Sequence, residues 1–130
     1  MIADTSFIID IMKSDKEAIK KAEDIQKNGN TIAVTSISVF ELFVGVTLSI
    51  KQDRERDRIN RILIGLPIIG FDRDCAIEAG KIFARKRKNG TTIEPEDSMI
   101  AGICSRRNEI LITRNIKHFN DIEGLRIESY

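Results

Sequence analysis

With 130 residues, of which 42% are hydrophobic and 32% charged, the chain has the size and composition of one folded globular domain spanning residues 1–130. Its net charge of +1 does not by itself indicate a nucleic-acid-binding protein. No apolar run approaches the roughly 18–20 residues of a membrane span, and the N-terminus lacks a basic segment followed by an apolar stretch and a cleavage site. We therefore expect a cytoplasmic protein with neither a secretory signal nor a membrane contact.

Hydrophobic patterning predicts short strands that alternate with helices. The segments predicted as strands are apolar or β-branched and span 1–4, 31–35, 66–71, 109–113 and, as an edge strand, 125–128. The segments predicted as helices carry apolar residues at helical spacing and span about 15–28, 36–50, 54–63, 72–89 and 95–107. This alternation is typical of βαβ units. It predicts an α/β fold with a parallel sheet covered by helices on both faces.

Several residues at the predicted helix ends are typical helix caps. Either Ser36 or Ser38 is expected to cap the helix that runs to about residue 50, and Asp72 the helix that closes at Asn89. Pro95 suits the first turn of the helix that it begins. The residues expected to face inward from the helix after Asp72 are Ala76, Ala79, Gly80 and Phe83.

Polar residues follow the predicted strands, where ligands bind in open parallel sheets, at the point where the strand order reverses. The candidate site residues are Asp4 with the supporting contacts Thr5 and Ser6, then Glu41, then Asp97, and finally Thr113, Arg114 and Asn115. We expect these three carboxylates, hydroxyl groups and an amide to converge from separate parts of the chain.

Each acid also has a purely structural interpretation. Asp4 could simply accept hydrogen bonds from the start of the next helix, and Asp97 is a conventional first-turn acid. Glu41 is harder to explain in this way because almost every neighbour from Ile37 to Val44 is apolar. A carboxylate in such surroundings needs a hydrogen bond, a metal ion or a buried ion pair, and the ion pair is the alternative to a functional role.

Taken together, the three acids indicate a hard divalent cation, Mg²⁺ or Mn²⁺, which prefers oxygen ligands. Zinc is disfavoured because the chain has one histidine and no cysteines at ligand spacing. That histidine, His118, is expected to be a loop or surface residue rather than a general base. Cys75 and Cys104 lie among apolar residues, which favours buried thiols, with a disulfide as the alternative.

Basic residues occur in three groups that permit, without requiring, a phosphate-binding surface. These groups are Arg54, Arg56, Arg58 and Arg61, then 85–88, and then Arg106, Arg107, Arg114 and Lys117.

Four segments resemble those of a known family, in the same order. They are Ile2-Ala3-Asp4-Thr5-Ser6, the stretch from Ser36 to Gly45 around Glu41, Asp97-Ser98-Met99-Ile100-Ala101-Gly102, and Leu111-Ile112-Thr113-Arg114-Asn115 followed by Phe119. Each segment alone is a weak signal, whereas four at this spacing are specific. On these motifs the chain resembles the PIN-domain family, and within it the VapC-type toxins, over nearly its whole length.

This resemblance implies a three-layer α/β/α sandwich and cleavage of RNA that depends on Mg²⁺ or Mn²⁺. Asp4 and Asp97 would be the principal metal ligands, and Glu41 would be a further ligand or would orient the attacking water. Thr113 and Asn115 would help to position water or phosphate.

The resemblance also implies partners, namely a second copy in a homodimer and a small antitoxin that covers the acidic groove. Apolar residues that could form such an interface, if they are not core residues, are Phe40, Phe43, Val44, Val46 and Leu48.

The sequence departs from the family pattern at one point. Many relatives carry a fourth carboxylate where Asn115 or His118 stands here, and Asp121 is shifted from that pattern. We expect this loss to weaken binding of a second metal ion without abolishing activity. The alternatives are a catalytically weak PIN-like module that binds RNA or protein, or a phosphatase or phosphoacceptor domain using Asp4. The phosphatase pattern requires an acid where Ser6 stands.

Overall fold

The computed structural model describes all 130 residues, and none of its helices is both long and apolar enough to cross a membrane. Its five strands are β1 (Ile2–Ala3), β2 (Ala33–Thr35), β3 (Ile68–Ile69), β4 (Ile110–Ile112) and β5 (Arg126–Glu128). Its seven helices are α1 (Thr5–Met12), α2 (Lys16–Lys27), α3 (Ser36–Leu48), α4 (Gln52–Leu63), α5 (Arg73–Lys88), α6 (Pro95–Arg107) and α7 (Ile116–Phe119). The strands form one sheet in the order β3-β2-β1-β4-β5, with every pairing parallel.

Apolar side chains cover both faces of the sheet, because successive residues of a strand point to opposite sides. Ile2 and Leu111 lie in a core formed with α5, α6 and α7. Ala3 and Ile112 lie in a second core formed with α1, α2, α3 and α4. The α/β fold with three layers is therefore confirmed.

The order of the strands reverses beside β1. The chain moves from β1 to β2 to β3 with its helices on one face, then crosses to β4 with α5 and α6 on the other face. Crossovers of a single hand require this change of face when the direction reverses. Because Ala3 pairs with Ile112, the residues that follow β1 and β4 are neighbours at the carboxyl edge of the sheet.

Some element boundaries differ from those predicted. The capping of α3 by Ser36 or Ser38 is wrong, since the Oγ1 of Thr35 accepts the hydrogen bond from the Ser38 N–H at 2.9 Å. Thr35 is still extended at the end of β2, so the helix begins one residue earlier. Helix α1 had no predicted counterpart, because its apolar residues from Phe7 to Met12 are nearly continuous and show no helical period.

The predicted inward face of α5 is also partly wrong. Its buried apolar residues are Cys75, Ala79 and Ile82, whereas the predicted Ala76 and Gly80 are exposed and Phe83 is half-buried. The buried stripe is thus displaced by about one residue, or roughly 100° around the helix. Of the predicted set, Ala79 alone is fully buried because it faces α6.

Helices α5 and α6 approach each other at Gly102. A Cβ atom built on Gly102 would lie 2.8 Å from the Cys75 carbonyl oxygen and 2.8 Å from the Ala79 backbone nitrogen. These are backbone atoms, which cannot rotate away as a side chain does. The close approach of the two helices therefore requires glycine at this position.

The two cysteines are both buried and free, so the disulfide alternative is not realised. Burial raises the pKa of the Cys104 thiol to about 12 and also raises the pKa of Cys75. Both side chains are therefore neutral thiols of the core and not nucleophiles.

We predict that Gly102→Ala destabilises the protein. Overpacking costs about 1–3 kcal/mol, whereas the higher helix propensity of alanine returns up to about 1 kcal/mol. Because the 2.8 Å contacts are with backbone atoms, the cost should lie at the upper end of that range. The expected net loss in the free energy of unfolding is about 2 kcal/mol, measured by chemical denaturation.

Gly80→Ala in α5 is the matched control. A Cβ atom at Gly80 has nothing within 4 Å, so this variant should gain about 0.5–1 kcal/mol. Equal stability changes in the two variants would contradict the close contact between α5 and α6.

Candidate active site

Asp4 lies directly after the central strand β1 and is almost completely buried, with 5% of its surface exposed. Its Oδ1 accepts a hydrogen bond from the Thr5 N–H at 2.8 Å, which makes it the N-cap of α1. Its Oδ2 accepts hydrogen bonds from the hydroxyl groups of Ser6 and Thr113, each at 2.8 Å. The structural interpretation of Asp4 as a helix cap is therefore correct. In addition, the Ser6 and Thr113 hydroxyl groups fix the Oδ2 atom of Asp4 at the carboxyl edge of the sheet.

Thr5 connects Asp4 to Glu41, because its hydroxyl group donates to Glu41 Oε1 at 2.7 Å. Glu41 is half-buried on α3, and it makes no ion pair with lysine or arginine. The apolar residues around it in the sequence are distributed over the other sides of the helix, with Leu42 buried and Phe40 exposed. Glu41 is thus neither enclosed in the apolar core nor neutralised by a buried cation.

Asp97, the third residue of α6, contacts the single histidine of the chain. The His118 Nδ1 lies 3.0 Å from Asp97 Oδ2, and the two side chains are 55% and 14% exposed respectively. The expected surface position of His118 is correct, but its contact with Asp97 was not predicted. The contact could have been expected because His118 stands where many proteins with the PIN-domain motif have an acid.

The residues after β4 have separate roles. Thr113 is fully buried against Asp4, and the Asn115 N–H donates to the Thr113 Oγ1 at 3.0 Å. Asn115 therefore supports the site through its main chain. Arg114 does not join the acidic cluster, since it pairs with Asp15 at 3.0 Å and stacks on the Tyr130 ring at 4.9 Å.

The predicted basic groups are only partly available at the surface. The arginines at 54, 56, 58 and 61 are exposed on α4. Lys86 is buried and donates to the Asn120 carbonyl oxygen, and Arg114 is occupied by acidic residues. The group on α4 is therefore the one whose basic residues are all exposed, although Asp53, Glu55 and Asp57 alternate with them and Arg56 pairs with Asp53 at 3.1 Å.

The acids of the site repel one another. Burial raises the pKa of Glu41, and the charges of Asp4 and Asp97 raise it further, against the hydrogen bond from Thr5. Burial likewise raises the pKa of Asp97, with the charge of Asp4 adding to it and the His118 contact opposing it. Bringing these carboxylates together therefore carries an electrostatic cost that no lysine or arginine offsets.

The donor set fits a hard divalent cation, although the side chains do not form a complete cage. No group of three or more acidic, histidine or cysteine side chains is closely enough arranged to enclose a metal ion in advance. The available donors are carboxylate oxygens that repel each other, and Mg²⁺ and Mn²⁺ accept such ligands while keeping several water molecules. An open, partly hydrated site suits this chemistry.

Comparison with known proteins identifies the family of this chain. Residues 1–125 match the family described as the PIN domain. The tRNA(fMet)-specific endonuclease VapC of Salmonella typhimurium is 31% identical over 127 residues, covering 98% of this chain and 95% of that protein. Ribonuclease VapC2 of Rickettsia felis is 28% identical with the same coverage. The crystal structure of VapBC2 from Rickettsia felis, bound to a DNA fragment from their promoter, superposes with a TM-score of 0.92 at 30% identity, covering 99% of this chain and 97% of that chain.

The PIN-domain match extends over nearly the whole chain, and the identity to a VapC endonuclease extends over the same length. The fold agrees with that match. The chain therefore belongs to the PIN-domain family, as a ribonuclease of the VapC type.

Proposed function

We propose that this chain cleaves RNA with the help of a divalent cation, Mg²⁺ or Mn²⁺, held by Asp4 and Asp97 beside Glu41, and that it is the toxin of a VapBC-type pair. The observation that carries this proposal is the meeting of three carboxylates where the strand order reverses, with no lysine or arginine paired to any of them. Carboxylates that repel one another destabilise a cluster that is purely structural. A site that binds a cation needs such a concentration of negative charge.

Each side chain of the site would have a separate role in cleavage. Asp4 and Asp97 would hold the cation, and Ser6 and Thr113 keep the Asp4 carboxylate in one orientation through their hydrogen bonds. Glu41, fixed by the Thr5 hydroxyl group, would orient the attacking water. When bound, the cation would lower the pKa of water and offset the charge that develops on the phosphate.

Asn115 would contact the substrate phosphate with its side-chain amide, because its main chain is already held by Thr113 and its side chain is exposed. The exposed arginines of α4 would add sequence-independent contacts to the RNA backbone. Transfer RNA is the substrate class that we propose, since the Salmonella relative is a tRNA(fMet)-specific endonuclease.

An antitoxin is the proposed partner, and helix α3 offers a surface for it. Phe40, Val44 and Leu48 lie four residues apart on one side of α3 and are 57%, 43% and 81% exposed. We call these three residues the α3 patch. Val46, which was expected in this interface, is a core residue instead. The α3 patch adjoins Glu41 along the helix, so an antitoxin bound there would extend towards the acids. The homodimer implied by the family stays a prediction.

Asp97→Asn should abolish cleavage without unfolding the protein, because it keeps the shape of the side chain but removes a charged ligand. We expect a loss in the cleavage rate of at least about a hundredfold, measured on initiator tRNA and a mixed tRNA pool with Mn²⁺ or Mg²⁺. Circular dichroism would verify folding, and EDTA should stop the wild-type reaction.

Asp24→Asn is the matched control, since Asp24 is exposed on α2, outside the site and outside the arginine-bearing helix α4. Undiminished turnover by folded Asp97→Asn would refute the assigned mechanism. Failure of the wild type to cleave any RNA in the presence of bound metal would favour the non-catalytic binding module.

Glu41→Gln should stabilise the metal-free protein. The pKa of Glu41 is raised in the folded chain, so its ionisation opposes folding above that raised pKa and has no effect below the pKa of the unfolded state. Glutamine can still accept the hydrogen bond from Thr5. We expect the variant to be more stable by less than about 1 kcal/mol near pH 7, after allowance for solvent screening at a half-buried site.

The advantage of Glu41→Gln should disappear as the pH falls to about 4, and Mn²⁺ should stabilise the wild type more than the variant. Chemical denaturation at several pH values would measure both effects, again with Asp24→Asn as the control for loss of one charge. A wild type that is the more stable protein without metal at neutral pH would contradict the electrostatic argument.

Val44→Lys should weaken antitoxin binding with a stability change of under about 0.5 kcal/mol, because Val44 is exposed in the α3 patch. The measurement is co-purification with the protein encoded by the neighbouring reading frame. Ile77→Lys is a close control, since Ile77 on α5 is 44% exposed against 43% for Val44. If Val44→Lys keeps the antitoxin but changes a dimer into a monomer, the α3 patch is the homodimer interface instead.

A further inference from the structure

His118 is the one nitrogen-bearing side chain that contacts an acid of the active site. Its Nδ1 lies 3.0 Å from Asp97 Oδ2, and the ring is more than half exposed. None of the roles proposed above for the carboxylates, hydroxyl groups and Asn115 uses this imidazole. The chain contains one histidine, so no other imidazole can make this contact.

The position of His118 is held firmly by the chain on either side of it. The neighbouring Phe119 is 1% exposed in the core beside α6, and the His118 N–H donates to the Asn115 carbonyl oxygen at 3.0 Å. Beyond the helix, Lys86 donates to the Asn120 carbonyl oxygen. Short helix α7 is therefore fixed at both ends, and it places the imidazole at the mouth of the site.

The distance between His118 and Asp97 suits two interactions equally well. A separation of 3.0 Å is a normal hydrogen bond. It is also about the distance between adjacent ligands of an octahedral ion with bonds of ~2.1 Å, since two such bonds at a right angle end about 3.0 Å apart. A cation bound by both atoms would lie to one side of the line that joins them, so each group would turn by about 45° to bind it while their separation stays unchanged.

We propose that His118 is a ligand of the active-site cation, which it binds through an imidazole nitrogen beside the carboxylate of Asp97. This inference rests on the proposed function, because it assumes that a cation binds at Asp97. It assigns to the site a mixed set of oxygen and nitrogen donors in place of oxygen alone.

The chemical consequence is a change in metal preference. Mg²⁺ strongly favours oxygen ligands, whereas imidazole suits transition metals, and affinity for nitrogen donors rises from Mn²⁺ along the first-row series. The site should therefore prefer Mn²⁺ to Mg²⁺ more strongly than the same site with a carboxylate at this position. His118→Asp makes that comparison directly.

The first experiment is pulsed electron paramagnetic resonance of Mn²⁺ bound to the tag-free protein. Selective ¹⁵N labelling of histidine marks His118 alone, since no other histidine is present. We expect a hyperfine coupling of directly bound nitrogen that changes from the ¹⁴N to the ¹⁵N pattern on labelling and is lost in His118→Asp. Mn²⁺ bound without such coupling would overturn the assignment of His118 and leave the proposed nuclease intact.

The second experiment is calorimetric titration of Mn²⁺ and Mg²⁺. The ratio of Mn²⁺ affinity to Mg²⁺ affinity should fall in His118→Asp, because a carboxylate oxygen replaces the nitrogen donor that Mn²⁺ accepts more readily than Mg²⁺ does. Lys117→Gln, an exposed neighbour on α7, should leave that ratio unchanged. An unchanged ratio in His118→Asp would overturn the proposal. Failure of the wild type to bind either metal, with RNA cleavage persisting in EDTA, would overturn this proposal and the metal-dependent mechanism together.

Discussion

The hydrogen bonds around the Asp4 carboxylate join the two halves of the molecule. Asp4 follows the central strand β1, and its Oδ2 accepts from Thr113, which follows β4 and lies 109 positions further along the chain. The same carboxylate caps α1, and through Thr5 it is connected to Glu41 on α3. A buried charge is costly unless it is satisfied in this way, so the fold depends on these contacts as much as the site does. This explains how one acid can be both a structural cap and the proposed metal ligand.

The electrostatics of the site follow from its position at the open edge of the sheet. Helices cover both faces, so the carboxyl edge is where polar groups of separate elements can meet. The acids of α3 and α6 are partly desolvated there and interact with the charge of Asp4, which raises the pKa of Glu41 and Asp97. Repulsion between the carboxylates destabilises such a cluster when no cation is bound, and a bound cation would remove that repulsion. Among the basic side chains, only the imidazole of His118 contacts these acids, and this contact is the reason why we propose His118 as a ligand of the cation.

Much of the fold and of the site was predictable from local patterns. Three features depend on residues close together in the sequence. They are the short apolar strands, the glycine or asparagine after several helices, and the positions of Asp4 after a strand and of Glu41 and Asp97 within helices. The cap of α3, the inward face of α5 and the helix α1 were missed. The cap of α3 depends on where β2 ends, and the inward face of α5 depends on its packing against α6. Helix α1 lies in a nearly continuous apolar run, which shows no helical period. The assigned roles of the acids remain predictions, because the geometry brings the side chains together without testing what they do.

The sequence by itself determined the alternation of strands and helices, the family and which acids are candidates for the site, because these are properties of residue type and spacing. Tertiary structure alone decided which groups are in contact. It brought Thr113 to Asp4 and Thr5 to Glu41. It also brought His118 to Asp97, and it placed Arg114 beside Asp15 instead of the carboxylates of the site. The physical reason is that these contacts join residues far apart in the chain. Their distances depend on strand register and helix packing, neither of which is encoded in any one segment.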